Sequence, residues 1–424
     1  GIYKESACTN KMTTTANAIT KPERKYTVTF NYNGSGKANT TGTATWTFGG
    51  YYTATAGSGT QMINASGNIT NNLTSTKYTA TATLYANWTG GTVRLPTPTR
   101  TGYTFAGWYT AASGGTKIES TSKFTSAQTL YAHWTTKNYT LKIDPNGGTL
   151  NNSTAVTTST VAYGATKAPG TPTRTGYTFA GWVPTKTEGT DNATWVEVFY
   201  HNNNFGSTLF ASDEEALSSN TRDKYSILNK LESFRANTSS AFEFLLKYDE
   251  LGSAYNRWKQ TSNPTTSTTI SGYSAVAISW TANSWGGLVK NSGNTFIDGS
   301  PSATTWFYAI GAKAKWDIGI PGPSSPGITQ GTSLWVKANS DLSNIEKFIT
   351  GVVDGNGNYI VRHDVTLKAV WIPNVYTIKL NNQSATTAGT TAIYEKYNVG
   401  IYKESACTNK MTTTANAITK PERK

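Results

Sequence analysis

The sequence predicts a mainly β protein in which small repeated modules surround one larger inserted domain. Three observations carry this prediction. The 424 residues are rich in Thr, Gly, Tyr, Trp and Asn, a composition that favours strands and turns over helices. Short runs that alternate apolar and polar residues recur along the chain. Finally, residues 1–25 reappear without change at residues 400–424.

The repeated 25-residue segment starts at Gly1 and again at Gly400, an offset of 399 residues. Identity over this length excludes chance, and internal repeats indicate an architecture of stacked units. The simplest interpretation is a parent protein that repeats a unit of 399 residues. A duplication introduced by cloning is the alternative.

Composition narrows the class of partner. The net charge is +13, but no Lys/Arg-rich run is present, so we expect general attraction to anionic polymers or surfaces and not a nucleic-acid groove. A solvated surface without a particular partner is an equally good interpretation.

Cys8 and Cys407 occupy the same position one period apart, which excludes a disulfide framework within a unit. We expect this thiol to be buried, with pairing between units or chains as the alternative. No apolar run is long enough to span a membrane.

Three strand-like segments, here called openers, begin with Tyr-Thr. They are Tyr26–Phe30, Tyr139–Ile143 and Tyr376–Leu380. Each alternates apolar and polar residues, as a half-buried strand does. The first two run into Asn-Gly turns at Asn31–Gly34 and Asp144–Gly148, which supply the backbone angles of tight turns.

A second motif is stronger. Residues 97–108 and 171–182 both read TPTRTGYTFAGW, with a looser copy at Trp46–Tyr52. Each copy is followed by a strand-like segment, here called a closer, in which alternate Leu, Ala and Trp residues lie on one face. The closers are Leu84–Trp88, Leu130–Trp134 and Leu367–Trp371. The Gly of the motif permits another backbone or ring to approach closely. The Trp residues give each small sheet a large apolar side chain for its core.

This combined pattern resembles the Listeria–Bacteroides repeat, also called the internalin B-repeat family. The matching residues are Tyr139–Ile143, Asn146–Gly148, Pro98–Tyr109, Pro172–Trp182 and Thr129–Thr135. The resemblance covers roughly residues 1–185 and 350–424. It implies small β-grasp-like modules strung along extracellular proteins of bacterial cell surfaces, and it implies no catalytic site.

The order of openers and closers predicts an interleaved arrangement. One module begins near residue 375 of a preceding unit and is completed within residues 1–88, interleaved with the opener at 26–36. An insertion of about 160 residues separates the module that opens at Tyr139 from its closer. The predicted domains are 1–88, the closing half 89–137, the split module 138–185 plus 350–373, the inserted domain 186–349, and 374–424 as the start of the next module.

The inserted domain, residues 186–349, differs in character. Ser212–Glu215 fits a helix capping box, and Tyr225, Leu228, Leu231 and Phe234 follow at helical spacing. Several strand-like runs come next, so we predict a β-sandwich or jelly roll with one short helical region.

Aromatic and polar residues of this domain suggest a ligand site. Exposed aromatic rings stack on sugar faces, and Asn or Asp groups bind hydroxyls. The candidate residues are Trp258, Asn263, Trp285, Asp298 and Trp306. Packing in the core, or contact between units, is the alternative interpretation.

Catalytic and metal-binding motifs are missing from the sequence. It has no HExxH, no paired Cys/His ligand spacing, no P-loop and no GxSxG. The adjacent acids Glu214 and Glu215, or Asp249 and Glu250, are better explained as capping or solvated charges than as a glycosidase pair. We therefore predict no enzyme, no cofactor and no metal.

Two functional hypotheses remain. The first is a repeat unit of a long extracellular fibre or stalk whose partners are copies of itself. The residues predicted to contact the next unit are Tyr376, Ile378, Leu380, Ile401 and Cys407. The second is an adhesin whose inserted domain binds a glycan, such as a cell-surface or extracellular polysaccharide, or a host ligand. Neither involves nucleic acid or membrane insertion of this segment.

Overall fold

The computed structural model describes most of the chain and confirms the mainly β class. The described residues are 2–187 in full, the backbone of 188, 193–203, 207–235, 239–281, 285–299, 308–314, 320, 322–323, 329–338, 352–387 and 389–421. They form two compact units. Unit 1 comprises Gly1–Thr99 and Thr104–Thr135, and unit 2 comprises Arg100–Tyr103 and Thr136–Lys424.

The strands up to the end of unit 1 are β1 Arg24–Asn31, β2 Thr40–Tyr52, β3 Gln61–Ile63, β4 Tyr85–Gly90, β5 Tyr103–Tyr109, β6 Lys117–Ile118 and β7 Gln128–Thr136. One short helix, α1 Asn71–Ser75, and one 3₁₀ turn, Thr55–Gly57, accompany them.

The remaining strands are β8 Asn138–Asp144, β9 Thr157–Ala162, β10 Thr166–Lys167, β11 Tyr177–Glu188, β12 Ala193–Asn202, β13 Ser219–Asn220, β14 Lys224–Ser226, β15 Phe242–Tyr248, β16 Tyr255–Gln260, β17 Ser274–Ile278, β18 Val289–Lys290, β19 Thr295–Asp298, β20 Ile310–Ala312, β21 Gly331–Lys337, β22 Tyr359–Ile360, β23 Val365–Pro373, β24 Val375–Lys379, β25 Ala392–Lys396 and β26 Gly400–Tyr402. The helical segments are α2 Asp213–Leu217 and the 3₁₀ turns Leu228–Phe234 and Asp249–Leu251.

Strand β2 is long because different parts of it pair with different strands. Its first part, up to Trp46, pairs antiparallel with β1, while its second part pairs antiparallel with β4. The sheet has the order β3-β2-β1-β7-β5-β6, with β4 attached to β2. A bulge between Phe48 and Gly50 bends the second part, and Gly50 has the positive φ of 110° that such a bend requires.

In unit 2 the module sheet continues into the insertion. Strand β11 pairs with β23 through Tyr177–Thr185 and then with β12 through Thr185–Glu188. The predicted domain boundary between residues 185 and 186 therefore falls inside one strand. The resulting eleven-stranded sheet has the order β17-β16-β15-β21-β12-β11-β23-β8-β9, with β14 attached to β12 and β13 attached to β14.

A second, three-stranded sheet (β18-β19-β20) belongs to the insertion. Phe296 and Ile310 from this sheet share one core with Phe244 and Trp258 from the large sheet. The insertion thus buries its apolar side chains between two sheets, which is the packing of a sandwich.

The helical region differs in part from its prediction. Ser212 caps α2, since its hydroxyl accepts a hydrogen bond from Glu215 N at 3.3 Å, as the capping box requires. The expectation that Tyr225 continues a helix is wrong, because Tyr225 pairs with Tyr200 in the sheet. Leu228 and Leu231 lie in a 3₁₀ turn, whose period of three residues matches their spacing.

Candidate interface between repeat units

The split module in unit 2 shows how an opener and a closer pair when both are present. The opener β8 lies parallel to the closer β23, with Ile143 opposite Leu367. Leu141 and Leu367 are fully buried, and Ile143 is 5% exposed. The closer pairs with β11 on its other edge, so it is a central strand.

The opener of unit 1 repeats this arrangement. Strand β1 lies parallel to the closer β7, with Phe30 opposite Leu130. Val28, Phe30 and Leu130 are buried. In both modules the fifth residue of the opener therefore faces the Leu that begins the closer. This common register follows from the shared alternation of apolar side chains, because a slip of one residue would turn them to solvent.

Strand β4 is a closer with a neighbour on one edge. It pairs antiparallel with β2, where Phe48 lies opposite Trp88. The Phe–Trp ring centroids are 5.6 Å apart at 66°, which matches 5.6 Å and 61° for Phe179–Trp371 in unit 2. Among the described strands, only β2 pairs with β4.

The apolar side chains of the closer Leu84–Trp88 are less buried than those of the two paired closers. Leu84, Ala86 and Trp88 are only half-buried, and the preceding residues 80–83 are exposed and form no strand. In the two paired closers, the corresponding Leu and Ala residues are fully buried. An open strand edge with apolar side chains is a template for further strand pairing.

Strand β24 is the matching case, an opener with a neighbour on one edge. Within the described residues it pairs only with β25. Tyr376 is 45% exposed and Ile378 is 36% exposed, while Leu380 is half-buried. Three residues predicted to contact the next unit therefore lie on an opener whose apolar face is open.

The two copies of the repeated segment fold alike locally but are buried differently. In each, a backbone amide donates across the loop at 2.8 Å, Met12 N to Ile2 O and Met411 N to Ile401 O. Met12 is 4% exposed in a core with Met62 and Leu73, whereas Met411 is half-exposed.

The other end of the segment shows the reverse. Tyr402 is 6% exposed because β26 pairs with β25, with Ile401 opposite Glu395, whereas Tyr3 is half-exposed. Each copy therefore makes the contacts that the other copy lacks.

The expectation of a buried cysteine is wrong. Cys8 is exposed and Cys407 is half-exposed. Each lies in a turn with positive φ, 56° and 51°. The Glu5 carboxylate stabilises the first turn by accepting hydrogen bonds from Thr9 N at 2.9 Å and Asn10 N at 2.6 Å.

The residues predicted to bind a ligand lie mostly in the interior. Trp258 is fully buried, its indole N–H donates to Gln260, and the half-buried Trp285 packs edge-on against it at 4.7 Å. Neither face of Trp258 is open to a sugar ring. Asn263 and Asp298 are each 6% exposed.

The polar groups of this set are already engaged. Asn263 donates to the Glu232 carboxylate at 2.7 Å and accepts from Thr265 N at 2.9 Å. Asp298 accepts from the side-chain amide of Asn291 at 2.7 Å. Trp306 lies outside the described residues.

The sequence did not indicate that His363, Glu197 and the Glu250 carboxyl are buried ionisable groups. His363 lies 2.6 Å from the buried Glu197 carboxylate. Burial lowers the pKa of His363, but the Glu197 charge and hydrogen bond outweigh it and raise this pKa above its usual value. Burial, together with the neighbouring Asp249, raises the pKa of Glu250 to about 7. The Glu250 carboxyl, predicted to be solvated, is therefore internal, whereas Asp249 is exposed as predicted.

Comparison with known proteins decides what the modules are. Residues 64–133 and 139–211 each match the Listeria-Bacteroides repeat domain. Two segments of the chain are therefore similar to the Listeria-Bacteroides repeat. The second match begins at the opener β8 and crosses residue 186, in agreement with the continuous strand β11.

One relative adds to this result. Internalin H of Listeria monocytogenes is 41% identical over 135 residues, a match that covers 30% of this chain and 23% of Internalin H. The chain thus matches less than a quarter of the length of this relative. No solved structure matches the chain. The repeats and the relative together indicate a bacterial surface protein.

Two further findings concern the described residues alone. They contain no group of three or more His, Cys, Asp or Glu side chains placed to hold a metal ion. None of the helices in the described part of the chain is long and apolar enough to cross a membrane.

Proposed function

We propose that the 399-residue period is the structural unit of a long extracellular fibre or stalk on a bacterial surface, with successive units joined head to tail. One observation carries the proposal. Openers β1 and β8 each lie against a closer, whereas opener β24 and closer β4 each have one open edge. A stack of periods supplies each open edge with the strand type that the complete modules contain.

The proposed role is mechanical and needs no catalytic group. The ligand-binding alternative depended on exposed rings and polar groups in the insertion. Since Trp258, Asn263 and Asp298 are buried, they do not support an adhesin, and we do not propose one.

Imaging of a two-period protein tests this function. The protein consists of residues 1–399 followed by residues 1–424, so that the repeated segment occurs once at the junction. We expect electron microscopy to show one fixed orientation between the periods. The matched control joins two chains of residues 1–424 through a Gly/Ser linker, which behaves as a flexible coil. The proposal fails if both proteins appear as beads with the same wide range of orientations.

A further inference from the structure

We propose that β24 of one period adds as a parallel strand to the segment that leads into β4 in the following period, with Leu380 opposite Leu84. This inference rests on the proposed function, since it requires successive periods in one protein. The occupant of the β4 edge is thus a second copy of this chain. Strand addition of this kind satisfies the unpaired backbone groups of both edges.

The register comes from the two complete modules. The fifth opener residue lies opposite the first closer residue in each, Phe30 opposite Leu130 and Ile143 opposite Leu367. In β24 the fifth residue is Leu380, and in the segment leading into β4 the closer begins at Leu84. The same rule places Ile378 opposite Ala82 and Lys379 opposite Thr83.

A side-chain amide marks this register in both complete modules. Three residues after the opener's fifth position, Asn33 donates to Ala132 O at 3.1 Å and Asn146 donates to Ala369 O at 2.9 Å. Both have positive φ, 43° and 49°. Gln383 occupies this position after Leu380.

Gln383 also has the turn geometry of its two counterparts. Its φ is 41°, and its backbone N–H donates to the Asn381 side chain at 2.9 Å. The counterpart bonds, Asn33 N to Asn31 and Asn146 N to Asp144, measure 2.9 and 2.8 Å. In the proposed register the Gln383 amide donates to Ala86 O of the following period.

The closing Trp supplies a second marker. Trp134 Nε1 donates to Tyr32 O at 3.1 Å, and Trp371 Nε1 donates to Pro145 O at 3.0 Å. Tyr32 and Pro145 each stand two residues after the fifth opener position. The equivalent pair across the junction is Trp88 Nε1 and Asn382 O.

The repeated segment connects the two strands of this junction. As residues 400–424 it pairs with β25 and leaves Met411 half-exposed; as residues 1–25 it buries Met12 and leaves Tyr3 half-exposed. A single segment placed between β25 of one period and the Met62 core of the next makes both sets of contacts. The junction module is therefore one continuous stretch of chain that spans two periods.

A disulfide test measures the register in the two-period protein. All native cysteines are replaced by Ser, Lys379→Cys is placed in the first period and Thr83→Cys in the second. Directly opposite residues lie about 4.8 Å apart, within disulfide range. The control keeps Lys379→Cys but moves the partner to Thr81→Cys, two residues along the strand, which gives roughly 8 Å and lies beyond that range.

We expect mild oxidation to link Lys379→Cys to Thr83→Cys and to leave the Thr81→Cys control free, as read by peptide mass mapping. Equal yields would mean random collision and would overturn the inference. Absence of both cross-links, in a protein whose periods still hold a fixed orientation by microscopy, would overturn the strand addition and leave the proposed fibre intact. Randomly oriented periods would overturn both.

Hydrogen exchange provides a test without substitutions. The peptide covering residues 78–90 occurs twice in the two-period protein, and only the second copy has an upstream β24. We expect a bimodal exchange pattern, with one of the two copies protected relative to the single chain. A single fast-exchanging population would contradict the pairing.

Discussion

Replacing Glu250 by Gln is expected to remove a loss of stability that develops as the pH rises. The Glu250 carboxyl is buried beside Asp249, and its Oε1 accepts hydrogen bonds from Thr101 Oγ1 at 2.6 Å and Gly331 N at 3.0 Å. Burial and the Asp249 charge raise its pKa from 4.5 to about 7. A Gln side chain keeps the accepting oxygen and carries no charge.

Proton linkage gives the sign and size of the effect of Glu250 on the free energy of unfolding. Because the folded pKa exceeds the unfolded one, the folded state binds the proton more tightly. The resulting stability is fully present below pH 4.5 and is lost as the pH rises through about 7. At 1.36 kcal/mol per pH unit, this gap corresponds to about 3 kcal/mol.

Urea unfolding at pH 4.5, 6 and 8 measures the effect. We expect Glu250→Gln to gain about 3 kcal/mol over the parent protein between pH 4.5 and pH 8. The other titrating groups, such as His363, cancel in this difference because both proteins contain them. The exposed Glu119→Gln is the control and should follow the parent. A constant difference between Glu250→Gln and the parent at all three pH values would refute the assignment.

Three other predictions concern packing and exposure. Leu141→Ala, in a paired opener, should lower the free energy of unfolding by about 2–5 kcal/mol, measured by chemical denaturation. Leu380→Ala in the single chain should lower it by about 1 kcal/mol or less, and equal losses would contradict the open edge. Arg362→Ala should cost about 1–3 kcal/mol, because the buried guanidinium donates to Thr221 O at 2.6 Å and to Asn220 Oδ1 at 2.8 Å and its removal leaves these acceptors unsatisfied. No loss in thermal or urea unfolding would count against this role. The Cys8 and Cys407 thiols should both react with a maleimide under native conditions, Cys8 faster, and protection of both without denaturant would contradict their exposure.

The sequence predicted the parts of the fold that short-range patterns encode. The mainly β class follows from composition and alternation and is confirmed. The Ser212 cap was also visible, because a capping box involves residues three positions apart. Leu228, Leu231 and Phe234 do lie in a helix, but it is a 3₁₀ helix, whose period matches their spacing of three residues.

Other features depend on contacts between distant residues. The continuation of β11 past residue 185 arises from its pairing with β12 and β23. The sequence did not indicate this continuation, because Pro184 lies within the strand and Pro is usually excluded from central strands. The burial of Trp258 depends on a second sheet that follows later in the chain. The open edge of β4 had a signal in the sequence, because two closers, Leu84–Trp88 and Leu130–Trp134, follow the single opener Tyr26–Phe30. None of the predicted contact residues lies on the first of these closers.

The parallel pairing of opener and closer has a mechanical consequence. The chain enters a module at the start of β8 and leaves at the end of β23, and these two ends lie at opposite ends of neighbouring parallel strands. Tension along the chain therefore pulls the two strands past one another and loads their hydrogen bonds in shear, all at once. The insertion lies between β11 and β23, outside this path. In the proposed fibre, tension would therefore be borne by the small modules, and the insertion would be loaded only after β8 and β23 separate.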